Sequence, residues 1–291
     1  MKKKLNHLPY LATFTFLFLS LPAYSAIKFI DTSVPLYPLP CQNGAVDSRT
    51  QQAGCSIWGE DLNLTLNGDI NLAAPFQAFV FAPSDSPPSP TINQNNTIVY
   101  TGDITGSSTS LSLAEVVGVS NNFTINGNIT ANNQGALTIY GDNGAPGEPF
   151  YQSYITHSNT VTVNGNLLLQ NNDGTGTVLL LTGTKNNAVV VTGSVISTSG
   201  DSAIQFLGSY FGAGNTDGNI VTVGSITSTN TSNGAVVFDA NANNNTLNSN
   251  GDITGLIHND GTGNVVNNGT NKITSVINRG TLTISGTHPD G

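Results

Sequence analysis

From Leu62 onward, apolar and polar residues alternate in short runs, each broken by a glycine and resumed by an aliphatic residue two positions later. The copies read LNLTLNGDI (62–70), NTIVYTGDI (96–104), NNFTINGNI (121–129), NTVTVNGNL (159–167), NAVVVTGSV (187–195), NIVTVGSI (219–226) and NTLNSNGDI (245–253). Alternation such as Val161 and Val163 against Thr160 and Thr162 predicts β-strands with one face inward and one in water. The repeat glycines, Gly68, Gly102, Gly127, Gly165, Gly193, Gly224 and Gly251, are 34, 25, 38, 28, 31 and 27 residues apart. A second strand-like phrase follows four of them: GALTIY from Gly135, GTVLLL from Gly176, SAIQFL from Ser202 and GAVVFD from Gly234. Each repeat therefore holds at least two short strands, and no helical period occurs after the leader.

One strand pair cannot bury its own apolar face, so the repeats must stack, each bonded to the next at about 4.8 Å. The predicted fold is an all-β solenoid over 61–291. Asparagines at the strand entries, including Asn159, Asn187, Asn219 and Asn245, are expected to form ladders that satisfy turn backbone groups. Composition agrees: 32 of 291 residues are glycine and only 9% are charged, which suits many turns and little charged surface.

Residues 1–25 read differently. Lys2, Lys3 and Lys4 precede an apolar run from Leu11 to Leu21, and Ala23-Tyr24-Ser25 fits a small-x-small cleavage site. This is the pattern of a secretory signal peptide; the run is short of the roughly 20 residues of a membrane span. Export through the inner membrane, to the cell surface, the medium or the periplasm, is the expectation. Cys41 and Cys55 are the only cysteines, and in an oxidising compartment a disulfide between them would staple a cap over 26–60, a segment rich in proline and holding the only tryptophan, Trp58.

Loss of the leader leaves 5 basic against 17 acidic residues, a net charge of −12, which excludes nucleic acid as a partner. No paired metal spacing or cofactor motif is present, so no cofactor is expected. Taken together, the signal peptide, the Asn/Thr/Gly/Ser-rich composition and the phrase N-x-V-x-V-x-G-[DNS]-[IVL] resemble the passenger domains of bacterial autotransporters and related β-helical adhesins, over about residues 60 to 286. That resemblance implies a right-handed, three-faced parallel β-helix of about ten rungs, displayed outside the cell and binding a host or bacterial surface glycan or protein. Such proteins normally end in a membrane barrel, whereas this sequence stops at His288-Pro289-Asp290-Gly291. A truncated member, a passenger served by a separate outer-membrane translocator, or another export route are the readings this leaves.

Right-handed β-helices also include polysaccharide lyases and glycoside hydrolases, which makes a carbohydrate-active enzyme the alternative. Asp69 and Asp103 share one motif position and could stack at glycosidase range. That position reads Asp, Asp, Asn, Asn, Ser, Ser, Asp along the copies, which is turn chemistry in which a side chain bonds its own backbone. No catalytic or metal residue is assigned. Gly200-Asp201-Ser202-Ala203 and the Asp-Gly fragments at 171–176 and 259–263 are read as turns. Thr160 and Thr162 suggest an ice-binding pair, but the motif is not expected to repeat at one position across rungs. Binding is assigned instead to two insertions: Gly141 to Ser158, carrying Phe150, Tyr151, Tyr154 and His157, and Ser209 to Gly218, carrying Tyr210 and Phe211.

Overall fold

The computed structural model describes residues 61–75, 79–81, 94–107, 112–141, 156–170, 176–198, 202–208, 214–229 and 234–287. The leader, the cap segment with Cys41 and Cys55, and Phe150, Tyr151, Tyr154, Tyr210 and Phe211 lie outside these residues. Every element among the described residues is a β-strand, and the strands lie in successive levels.

The first level holds β1 (Asn63–Asn67), β2 (Ile70–Pro75) and β3 (Phe79–Phe81). The second holds β4 (Thr97–Thr101), β5 (Ile104–Ser107) and β6 (Ser112–Val116). The third holds β7 (Asn122–Asn126), β8 (Ile129–Ala131) and β9 (Gly135–Tyr140), and the fourth β10 (Thr160–Val163), β11 (Leu167–Leu169) and β12 (Thr177–Thr182). In the fifth, β13 (Ala188–Ser197) runs through two positions before β14 (Ser202–Leu207). After the short β15 (Thr216–Asp217) come β16 (Ile220–Ser228) and β17 (Val236–Phe238); after β18 (Ala242–Asn243), which pairs with β15, come β19 (Thr246–Ser249) and β20 (Ile253–Asn259). β21 (Asn264–Asn278) spans a whole level, and β22 (Leu282–Thr287) lies on it.

All pairing between levels is parallel and, apart from β15–β18 and a file of single bridges before the first column, forms three columns. The first is β1, β4, β7, β10, β13, β16, β19, β21 and β22. The second runs from β2 through β5, β8 and β11 into the later halves of β13 and β16, then β20 and β21. The third is β3, β6, β9, β12, β14, β17 and the ends of β20 and β21. A repeat thus holds three strands, because the phrase read as one strand bends at its glycine and contributes to two columns. This stacking is that of a β-solenoid.

Each column sends a file of apolar side chains inward. In the second column it runs Ile70, Ile104, Ile129, Leu167, Val195, Ile226, Ile253 and Ile273, all at most 1% exposed. In the third, Phe206 and Phe238 stack with ring centroids 4.7 Å apart, a favourable aromatic distance. The glycine bend is enforced by closeness: a Cβ on Gly165 would lie 2.2 Å from the carbonyl oxygen of Gly127 one level away.

The entry to the first column is the most regular feature. Asp61, Asn95, Ser120, Ser158, Asn186, Gly218, Asn244 and Gly263 all have φ between 54° and 68°, the left-handed region that Asn, Asp and Gly adopt most readily. After each of the seven from Asn95 onward comes a buried asparagine: Asn96, Asn121, Asn159, Asn187, Asn219, Asn245 and Asn264. The backbone N–H of each donates to the Oδ1 of the next at 2.9 to 3.0 Å, and its Nδ2 donates to the same oxygen at 2.9 to 3.3 Å. Second Nδ2 bonds reach corner carbonyls, from Asn159 to Gly118, Asn219 to Thr184, Asn245 to Thr216 and Asn264 to Ala242. The ladder predicted from Asn159, Asn187, Asn219 and Asn245 is present and longer; Leu62 and Leu282 occupy its position at the two ends.

Candidate functional site

The strand ends that flank the two insertions lie at the corner between the third column and the first. β9 ends at Tyr140, β12 at Thr182 and β14 at Leu207, and the glycines that follow are stacked. Gly141 N donates to Thr182 O at 2.8 Å, Gly183 N to Leu207 O at 3.4 Å, and Thr182 Oγ1 to Gly208 O at 2.9 Å. Threonines tie down the return: Thr156 Oγ1 accepts from Gly118 N at 3.1 Å and donates to Tyr140 O at 2.5 Å, while Thr216 Oγ1 donates to Leu207 O.

The middle of the three connections, Gly183 to Thr184, is direct. On either side of it, the chain passes through 142–155 and 209–213. The roots at Tyr140 and Leu207 are two levels apart, about 10 Å at the spacing of parallel strands. The described residues that flank 142–155 and 209–213 therefore lie two levels apart on one edge.

His157 is the one candidate residue among those described. It is half-buried, with Nδ1 3.1 Å from Ser158 Oγ, and its backbone bridges Val119 below and Lys185 above. Lys185 bridges in turn to Asp217. Lys185 is exposed, and Asp217 Oδ1 is buried without a hydrogen-bond partner among the described residues. Sequence reasoning missed Lys185 and Asp217 because they share no motif with His157; only the register puts them in one file beside the insertion roots.

Asp69 and Asp103 do stack, in the corner between the first and second columns. Asp69 Oδ1 accepts from Asp103 N at 2.9 Å, Asp103 Oδ1 from Asn128 N at 2.7 Å, Asn128 Oδ1 from Asn166 N at 2.9 Å and Asn166 Oδ1 from Ser194 N at 2.8 Å. The expectation that these side chains bond their own backbone is corrected: each serves the next level. Both aspartates are exposed. Beneath them, Tyr100 is buried and donates its hydroxyl to Gly68 O; burial, then the charges of Asp69 and Asp103, raise its pKa well above the ordinary phenol value.

Thr160 and Thr162 point outward from the first column. Register places Thr162 in one outward file with Thr65, Val99, Thr124, Val190 and Thr222, and Thr160 in another with Asn63, Thr97, Asn122, Ala188 and Ile220. No other of these levels holds threonine at both positions, so the pair does not recur along the stack. Ser202 opens a strand and is buried, and Asp260 lies 3.3 Å from His258 Nε2 and 3.8 Å from Arg279 Nη1, as side chains at a turn. Among the described residues, no group of three or more His, Cys, Asp or Glu is placed to hold a metal ion. No protein-family model matches this chain, and no curated protein or solved structure matches it either.

Proposed function

We propose that this chain is an exported, autotransporter-like passenger protein that binds a surface glycan or protein through its two aromatic insertions and performs no chemistry. On this reading the stack is a right-handed parallel β-helix of about ten rungs, capped at its N-terminal end by residues 26–60 with Cys41 joined to Cys55. It works at the cell surface, delivered by a separate translocator or as the passenger part of a longer protein. The observation that carries the proposal is that the strand ends flanking both insertions lie at one corner of a stack that is regular among the described residues, since loops held on a rigid scaffold are where binding residues concentrate. His157, Lys185 and Asp217 supply polar groups along the same edge. The bonds that Asp69 and Asp103 make to neighbouring backbone support a structural role for those carboxylates.

The test is a glycan and matrix-protein binding screen with product analysis of each retained glycan. Retention without cleavage, abolished by Tyr151→Ala with Tyr154→Ala and weakened by Tyr210→Ala, is expected. Cleavage of a glycan, or retention that survives all three substitutions, would overturn the proposal.

A further inference from the structure

Charge is absent from one broad part of this acidic protein. Across the middle four levels, residues 120–131, 158–169, 186–197 and 218–228, which form the ladder corner, the first column, the glycine corner and the second column, contain no Asp, Glu, Lys, Arg or His. The outward positions of the first column stay uncharged over all nine of its strands. They also hold Ile220, 48% exposed, and the half-buried Val99, Val190 and Val265 on other levels of the same face. Cross-level bonds such as Asn164 Nδ2 to Asn126 Oδ1 at 2.8 Å and Asn267 Nδ2 to Asn248 Oδ1 at 2.9 Å fix the amides of this face along the column rather than toward solvent.

We propose that two copies of this chain pack face to face through the outer surface of the first column, with their level order reversed. Nine levels at about 4.8 Å and five residues at about 3.3 Å give a face of roughly 40 by 16 Å, about 640 Å², within the lower part of the roughly 600 to 1,000 Å² per partner of a standard interface. A second copy is the partner whose repeat matches this surface at every level by construction, and an isologous pair is the commonest closed assembly. With the twofold axis along the strands of the fifth level, Val190 meets its own copy and Ile220 lies over the smaller Thr160. The same axis brings Asp103 of the second level toward Lys272 of the eighth, so the charged ends attract at the rim while the neutral centre desolvates cheaply. A copy packed in the same level order runs its strands the other way, which loses the approach of Asp103 to Lys272 and brings Asp69 toward Asp61 of the other copy.

This inference does not use the aromatic insertions, which leave the described strands at the end of the third column. Sedimentation equilibrium of the full exported chain should give a dimer. Ile220→Lys and Val190→Lys should each weaken it at least about 100-fold while β-sheet circular dichroism stays unchanged, because each buries an unpaired cation at the centre. Ile277→Lys, on the outer face of the third column at 43% exposed, should leave the dimer intact, as should Tyr151→Ala with Tyr154→Ala. If a lysine at 220 or 190 spoils folding, Thr162→Lys replaces it. A monomeric wild-type chain overturns the proposal, including one that adsorbs to ice or to a neutral polysaccharide instead. A dimer indifferent to every first-column lysine overturns it too.

Discussion

Two side-chain ladders climb the same stack at neighbouring corners, and they obey different rules. At the entry to the first column every level from Asn96 to Asn264 uses asparagine; at the glycine corner the residues are Asp69, Asp103, Asn128, Asn166, Ser194, Ser225, Asp252 and Lys272. Their bonds also run in opposite senses. Inner backbone N–H groups donate forward to the next asparagine, whereas outer ones donate back to the preceding side chain. The inner ladder is buried, so each amide must both accept and donate, because an unmet polar group there costs about 1 to 3 kcal/mol. At the outer corner only an acceptor is needed and water meets the rest, so Asp, Asn and Ser serve alike. Burial, not ladder geometry, selects the residue.

The sharpest way to break this rule is to place the outer ladder's residue in the inner one. Asn187→Asp keeps the oxygen that accepts from Asn159 but sets a carboxylate against Asn219 Oδ1, where Asn187 Nδ2 now donates at 2.9 Å. Burial raises the folded-state pKa of such a group, so its protonated form fits and its charged form does not. Stability should be close to wild type below the unfolded carboxyl pKa of about 4, then fall as pH rises, reaching a loss of about 4 kcal/mol near neutrality. Urea unfolding at pH 3.5 and 7 measures this; equal stability at both pH values would contradict the argument.

Next in size is the bend between the columns. Gly165→Ala drives a methyl against Gly127 O and should cost about 3 kcal/mol, at the upper end for single substitutions. Gly269→Ala, with φ 57° and nothing within 4 Å, pays only the left-handed backbone cost of about 1 to 2 kcal/mol. Equal losses in thermal unfolding would show that contact between levels is not what demands glycine.

The alternation that made strands legible also made the Asn159 to Asn245 ladder legible, because both are local patterns. Three things were not. The glycine that reads as the end of a phrase is a bend joining two columns, which period-two alternation cannot distinguish from a strand end. The levels of β21 and β22 went unread because Asn268-Gly269 interrupts the phrase in NVVNNGTNKI and Leu282 replaces the ladder asparagine. The files joining His157 to Lys185 and Asp217, and Thr162 to Thr124 and Val190, depend on register across connections of unequal length. The segments carrying Tyr151, Tyr154 and the other aromatics were legible as interruptions of the repeat, while the common edge of the strand ends that flank them needed the register of β9, β12 and β14.

Tyr100 is where the outer ladder's charge is felt inside. Its pKa is raised by burial first and by Asp69 and Asp103 second, so the neutral phenol is the form the fold holds. That stabilisation is complete below the ordinary phenol pKa of about 10 and is lost as pH rises through the higher folded-state value. Wild-type protein should unfold more readily from pH 10 upward, whereas Tyr100→Phe should give up about 1 kcal/mol at neutral pH, through its bond to Gly68 O, and lose this alkaline limb. A variant with an unchanged alkaline limb would place its origin elsewhere.

The smallest effect completes the comparison with Asn187→Asp. Asn166→Asp, at the exposed corner, retains the oxygen that accepts from Ser194 N at 2.8 Å and gives up only the Nδ2 bond to Asn128 Oδ1 at 3.0 Å. Asp103 already occupies this position two levels below, accepting from Asn128 in the same way. Water solvates the new charge and Asn128 lies between it and Asp103, so the loss should stay below about 1 kcal/mol and, unlike that of Asn187→Asp, should be nearly the same at pH 3.5 and 7. A steep pH dependence at position 166 would mean that the outer corner is as demanding as the inner one, and that solvent access does not explain why aspartate is admitted to one ladder and kept out of the other.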